Sequence, residues 1–151
     1  MTELIPDPIQ ERKHQRSEAH KATTYGAFLT DLCAAGGYTR ELAERAATHV
    51  LHRLEQRIRS DESDHLEAQL PVRLCELLAG CDRPLGLKRR KIHRAEFITL
   101  VAEDLELQPQ EAERVVREVL GVVRQHISDG EAKKVEAQLP PDMRDFMWLP
   151  L

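Results

Sequence analysis

At 151 residues and 41% apolar content, the chain is long enough for one ordinary domain, or for two small ones fused into one core. Its net charge of −4 argues against general nucleic-acid binding, which usually carries a basic excess. Cys33, Cys75 and Cys81 form no CxxC pair and read as reduced thiols; no apolar run approaches membrane length, so a soluble cytoplasmic protein is expected.

Aromatic residues are confined to Tyr25, Phe28, Tyr38, Phe97, Phe146 and Trp148, and aliphatics, Ala, Glu and Arg dominate, which favours helices over strands. The opening Met1–Pro8 stretch has no cationic region before an apolar run and is not expected to be a signal peptide. Residues 1–17 read as a polar arm. A first repeat over 18–80 opens with a helix near 18–35, burying Tyr25, Phe28, Leu29, Leu32 and Cys33 and stopped by Gly36-Gly37. Thr39 is the expected N-cap of a long second helix reaching about Arg59, with Leu42, Ala46, Val50, Leu54 and Ile58 as its inward stripe. A short helix capped by Ser60 or Asp61 follows through Gln69. It must stop there, because a residue before proline is disfavoured in the helical region. Pro71 then suits the first turn of another short helix carrying Leu74, Leu77 and Leu78.

Residues 81–91 form a turn-rich basic linker, and a second repeat spans 92–151. Its first helix turns Phe97, Ile98, Val101 and Leu105 inward. The long helix after Gln108-Pro109 carries Ala112, Val115, Val116, Val119, Leu120, Val123 and Ile127 at helical spacing, and that period outvotes the strand preference of valine. Ser128-Asp129-Gly130-Glu131 reads as a capping box, in which serine accepts from the N3 amide and glutamate reaches back to the cap amide. Met143, Phe146 and Met147 face inward in the last helix.

The segment Glu67-Ala68-Gln69-Leu70-Pro71 recurs as Glu136-Ala137-Gln138-Leu139-Pro140, and the same offset of 69 pairs Phe28 with Phe97, Val50-Leu51 with Val119-Leu120 and Glu62 with Glu131. Such self-similarity marks a tandem duplication. The expected fold is therefore all-α, with two pseudo-symmetric helical repeats of about seven or eight helices in one bundle-like body. On these paired Gln-Leu-Pro stretches, and on Gly130-Glu131-Ala132, the chain resembles a bacterial family, domain of unknown function 2267, over roughly residues 22–149. The resemblance implies small helical repeats ending in a Gln-Leu-Pro turn, and brings no activity, cofactor or catalytic residue with it.

The chemical motifs are sparse. Gln69, Leu70, Pro71 and Gln138, Leu139, Pro140 are read as corner pieces: an amide for freed backbone groups, a core plug and a helix start. Glu62-Ser63-Asp64-His65 has the Glu-x-x-His spacing of di-iron bundles, but its mate ends in Lys134, and His49 and His52 have Glu118 and Gly121 as mates. With no HExxH and no Cys/His quartet, solvent-facing histidines are expected, with no metal and no cofactor. No nucleophile, oxyanion or phosphate-loop motif is present, so no enzyme activity and no catalytic residue are expected.

The expected role is a non-catalytic interaction or scaffolding protein, with a stress-related setting as the narrower form. A homodimer or protein partner would meet it through Trp148, Leu149 and Leu151; Trp148 has only Ala79 as its mate, and either seals the end of the bundle or docks onto another chain. The alternative is nucleic-acid or acidic-partner binding through Lys88, Arg89, Arg90 and Lys91, which lack interleaved aromatics for stacking. A metal-dependent enzyme ranks last. No residue pattern names a substrate.

Overall fold

The computed structural model describes residues 25–81 and 93–148, with backbone alone for 146–148. Among these residues every regular element is helical, and there are eight: α1 (25–36), α2 (Arg40–Glu55), α3 (Ser60–Gln69), α4 (Val72–Ala79), α5 (Arg94–Leu105), α6 (Pro109–His126), α7 (Asp129–Ala137) and α8 (Pro141–Trp148). The polar arm, the basic linker with Lys88, Arg89, Arg90 and Lys91, and the terminal Leu149 and Leu151 lie outside the described residues, as does the Trp148 side chain.

The two long helices, α2 and α6, pack on each other at the centre. Helix α5 lies against both, α4 covers α2, α8 covers α6, and α3 meets α7. The helical period is what selects the core. Ala43, Ala46, Ala47, Val50, Leu51 and Leu54 of α2 are fully buried, as are Ala112, Val116, Val119, Leu120, Val122 and Val123 of α6. Phe28 of α1 and Phe97 of α5 are fully buried as well. Each such large side chain contributes about 1.5–3 kcal/mol of burial, so the valine-rich face outweighs the weak helix propensity of its residues.

Helix ends follow local chemistry in part. Thr39 is extended and its Oγ1 accepts from Leu42 N at 3.2 Å, starting α2. Pro109 occupies the first turn of α6, where its missing N–H costs nothing. Helices α1 and α5 end alike: Gly37 (φ 67°) and Glu106 (φ 56°) are left-handed, and Tyr38 N and Leu107 N reach back to Cys33 O and Ala102 O. The first is glycine. The second is not, and an L residue is disfavoured there.

Four expectations are corrected. Helix α2 stops at Glu55 instead of Arg59, because Ile58 drops into the core and Arg59 is extended as the N-cap of α3. Neither Ser60 nor Asp61 caps α3; Arg59 is its N-cap and no side chain of its own segment closes it. Pro71 is the N-cap of α4 and Pro140 precedes the first residue of α8, so each lies one step outside the helix. Leu42 is only half-buried, and Ala43 takes its place on the inward stripe.

Candidate functional site

Where α3 crosses α7, the first turns of the two helices bring together the polar groups of both halves of the chain. Arg59 and Ser128, the N-cap residues, both have extended backbones. Ser128 Oγ accepts from Glu131 N at 3.1 Å, which is half of the anticipated capping box. The other half does not form. Ser128 N donates to Gln69 Oε1 at 2.8 Å, and Arg59 N donates to Gln138 Oε1 at 2.7 Å. Each glutamine of the repeated motif therefore completes the helix start belonging to the opposite half. Leu70 and Leu139 are buried core plugs beside them.

Relieved of capping, Glu131 turns inward toward Glu62. Both are the third residue of their helices, and they are 4% and 5% exposed. Helix amino termini favour anions, which offsets part of the burial. Gln138 Nε2 donates to Glu62 Oε1 at 3.3 Å, whereas the buried Oε2 atoms of Glu62 and Glu131 take no hydrogen bond from any donor outside the pair. Burial, followed by the hydrogen-bonding contact and charge of Glu62, pushes the Glu131 carboxyl up to about 7 against the pull of Lys134. The Glu131 carboxyl therefore keeps its proton well above the usual carboxylate range. His65, exposed on α3, brings its Nδ1 to 3.8 Å from Glu62 Oε2. The three donors of Glu62, His65 and Glu131 lie within 4.8 Å of one another. A recess of about 480 Å³ opens beside them, lined by Arg59, Glu62, Lys134, Ala137 and Gln138.

A protein-family profile described as "Uncharacterized conserved protein (DUF2267)" matches residues 25–146. The chain belongs to this family. No curated protein matches the chain. The matched DUF2267 region takes in helices α1 to α7, most of α8 and both Gln-Leu-Pro corners, and ends before Trp148.

Other side chains with chemical potential are held apart on the DUF2267 scaffold. Cys75 Sγ donates to Glu67 O at 3.2 Å, and burial pushes its thiol up to about 11, away from nucleophilic use. Cys33 is half-buried against the core. His126 is not solvent-facing as expected: its ring lies edge-on to Phe28, with centroids 5.4 Å apart, and Nε2 is 2.8 Å from Asp31 Oδ2. The Tyr38 hydroxyl donates to Glu118, which with burial raises its pKa. At the start of α5, Arg94 pairs with Glu113, and its backbone N–H donates to Asp142. No described helix is long and apolar enough to cross a membrane.

The sequence brings Glu62 and His65 together by spacing and sets them aside for want of a second histidine. It misses Glu131, the third donor, which local rules assign to a cap. The available signal is the offset itself: Glu62 and Glu131 are identical mates, and mates meet wherever equivalent elements cross.

Proposed function

We propose that the protein is a non-catalytic helical interaction protein that acts by presenting a surface, with a second copy of the chain as the first partner to test. The observation that carries this reading is the contrast between α4 and α8. In α4, position 79 is an exposed alanine; the position 69 residues later, at the end of α8, holds Trp148. Trp148 is thus a large apolar residue with no counterpart in the first repeat, on a helix whose Met143 is fully buried. Aromatic residues are favoured anchors of interfaces. The commitment of Cys75 to a carbonyl, of His126 to Asp31 and Phe28, and of both glutamines to backbone amides supports binding over turnover.

Light scattering on the full chain over a wide concentration range tests it. Self-association that weakens in Trp148→Ala, at unchanged melting temperature, is the expected result. A monomer at every concentration, with the same melting temperature in both proteins, overturns the reading.

A further inference from the structure

We propose that Glu62 and His65 of α3, together with Glu131 of α7, form a binding site for a first-row divalent transition ion, zinc foremost, that bridges the two short helices. This stands apart from the partner surface above and does not depend on it. The donors come from separate halves of the chain, yet lie within 4.8 Å of one another. Acidic clusters are common, so the deciding observation is a second one. The Oε2 atoms of Glu62 and Glu131 are buried and take no hydrogen bond from any donor outside the pair, on side chains 5% and 4% exposed. A buried carboxylate oxygen without a partner is costly, and a cation placed between two of them removes that cost.

The dimensions suit the ion. Zinc holds nitrogen and oxygen donors at about 2.0–2.2 Å in a tetrahedron, so two donors on one ion stand about 3.3–3.6 Å apart. Closing the widest pair from within 4.8 Å needs an approach of about 1.3 Å, shared between two side chains and within the reach of their torsions. The donor set narrows the choice of metal. Calcium and magnesium take oxygen donors and several waters, whereas one imidazole with two carboxylates suits zinc, manganese or iron. Gln138 acts in support, because its Nε2 holds Glu62 Oε1 and leaves Oε2 to face the ion. His65 is 62% exposed at its side chain and Glu62 lines the recess, which leaves a solvent-facing position for a water ligand. Arg59 and Lys134 line the same recess and oppose a cation, although long stems let both charged ends stay in water. Binding of moderate strength follows.

The test uses the full chain without a histidine tag, stripped with chelator and titrated with cobalt(II) and then zinc. One equivalent should bind, with a visible cobalt spectrum free of thiolate charge-transfer bands, and zinc should raise the melting temperature. His65→Ala and Glu131→Gln should each weaken binding about tenfold or more, while Cys75→Ser binds like the parent. His65 is exposed, so its variant keeps the fold and decides the matter even if Glu131→Gln does not fold. The proposal is overturned if the parent takes up no stoichiometric metal, if His65→Ala binds equally well, or if a cysteine substitution abolishes the signal.

Discussion

In the metal-free protein, Glu131→Gln should raise stability at pH 8 and flatten its dependence on pH. The native Glu131 carboxyl is pushed from an ordinary 4.5 to about 7 by burial and by Glu62. Between those values the native state keeps a proton that the unfolded chain releases. Below 4.5 both states hold it and the native state carries no penalty. As pH rises through 7 the native state loses it too, leaving two buried charges face to face. Stability therefore falls as pH rises across this window, by about 3 kcal/mol in all at 1.36 kcal/mol per pH unit. Glutamine has no proton to lose. Allowing for an imperfectly matched amide, the variant should exceed the parent by about 1–3 kcal/mol at pH 8, or about 3–10 °C in melting temperature for a chain of this size. Urea denaturation with chelator present, at pH 5, 6, 7 and 8, measures it, and the difference between the two proteins cancels other titrating groups. A parent whose stability is flat from pH 5 to 8, or a Glu131→Gln variant less stable than the parent at pH 8, would refute the reasoning.

Leu139, 2% exposed, should cost about 2–5 kcal/mol as Leu139→Ala, read from denaturant midpoints. Gln69→Ala and Gln138→Ala should each cost about 0.5–1.5 kcal/mol and speed hydrogen exchange at the backbone amides of Ser128 and Arg59 in turn; unchanged protection there would contradict the cross-capping. Glu106→Gly should stabilise by about 1 kcal/mol by relieving a left-handed residue, unlike the same change at an ordinary helical site. Cys75, with its thiol at about 11 instead of 9.0, should alkylate about a hundredfold more slowly than an unperturbed thiol at pH 8, and mass spectrometry of the labelled native protein will show whether it does.

The helical periods of α2 and α6, the Thr39 cap and the plugs Leu70 and Leu139 were legible in the sequence, because each depends on near neighbours or on a simple in-or-out pattern. Family membership was legible for a similar reason, since the repeated Gln-Leu-Pro corners are local. The glutamines show where such reading stops. A helix stop before proline can be seen at Gln69; that its amide reaches Ser128 depends on how α3 lies against α7. Glu131 shows it more sharply. Ser128-x-x-Glu131 has every local mark of a reciprocal cap, and half of that cap exists, but Gln69 wins the serine amide and frees the glutamate for the interior. The early end of α2 has the same origin, because Ile58 is drawn into a core built from both halves. Glu106 carries no sequence sign of its left-handed turn, and only Gly37 at the matching place hints at it.

The exchanged glutamine bonds also bear on how the chain folds. The amide that completes α3 sits 79 residues away, and the one that completes α7 sits 59 residues away. A helix of 10 residues or 9 residues is too short to persist alone in water, so each depends on contacts that only the opposite half supplies. Neither half holds a finished start for its own third helix. Long loops must close before those bonds reward the chain, which places α3 and α7 late in assembly, after the α2–α6 core has set. Either half produced alone would keep its long helix at best and lose its short one, and the two fragments mixed together would recover both helices in a single concentration-dependent step.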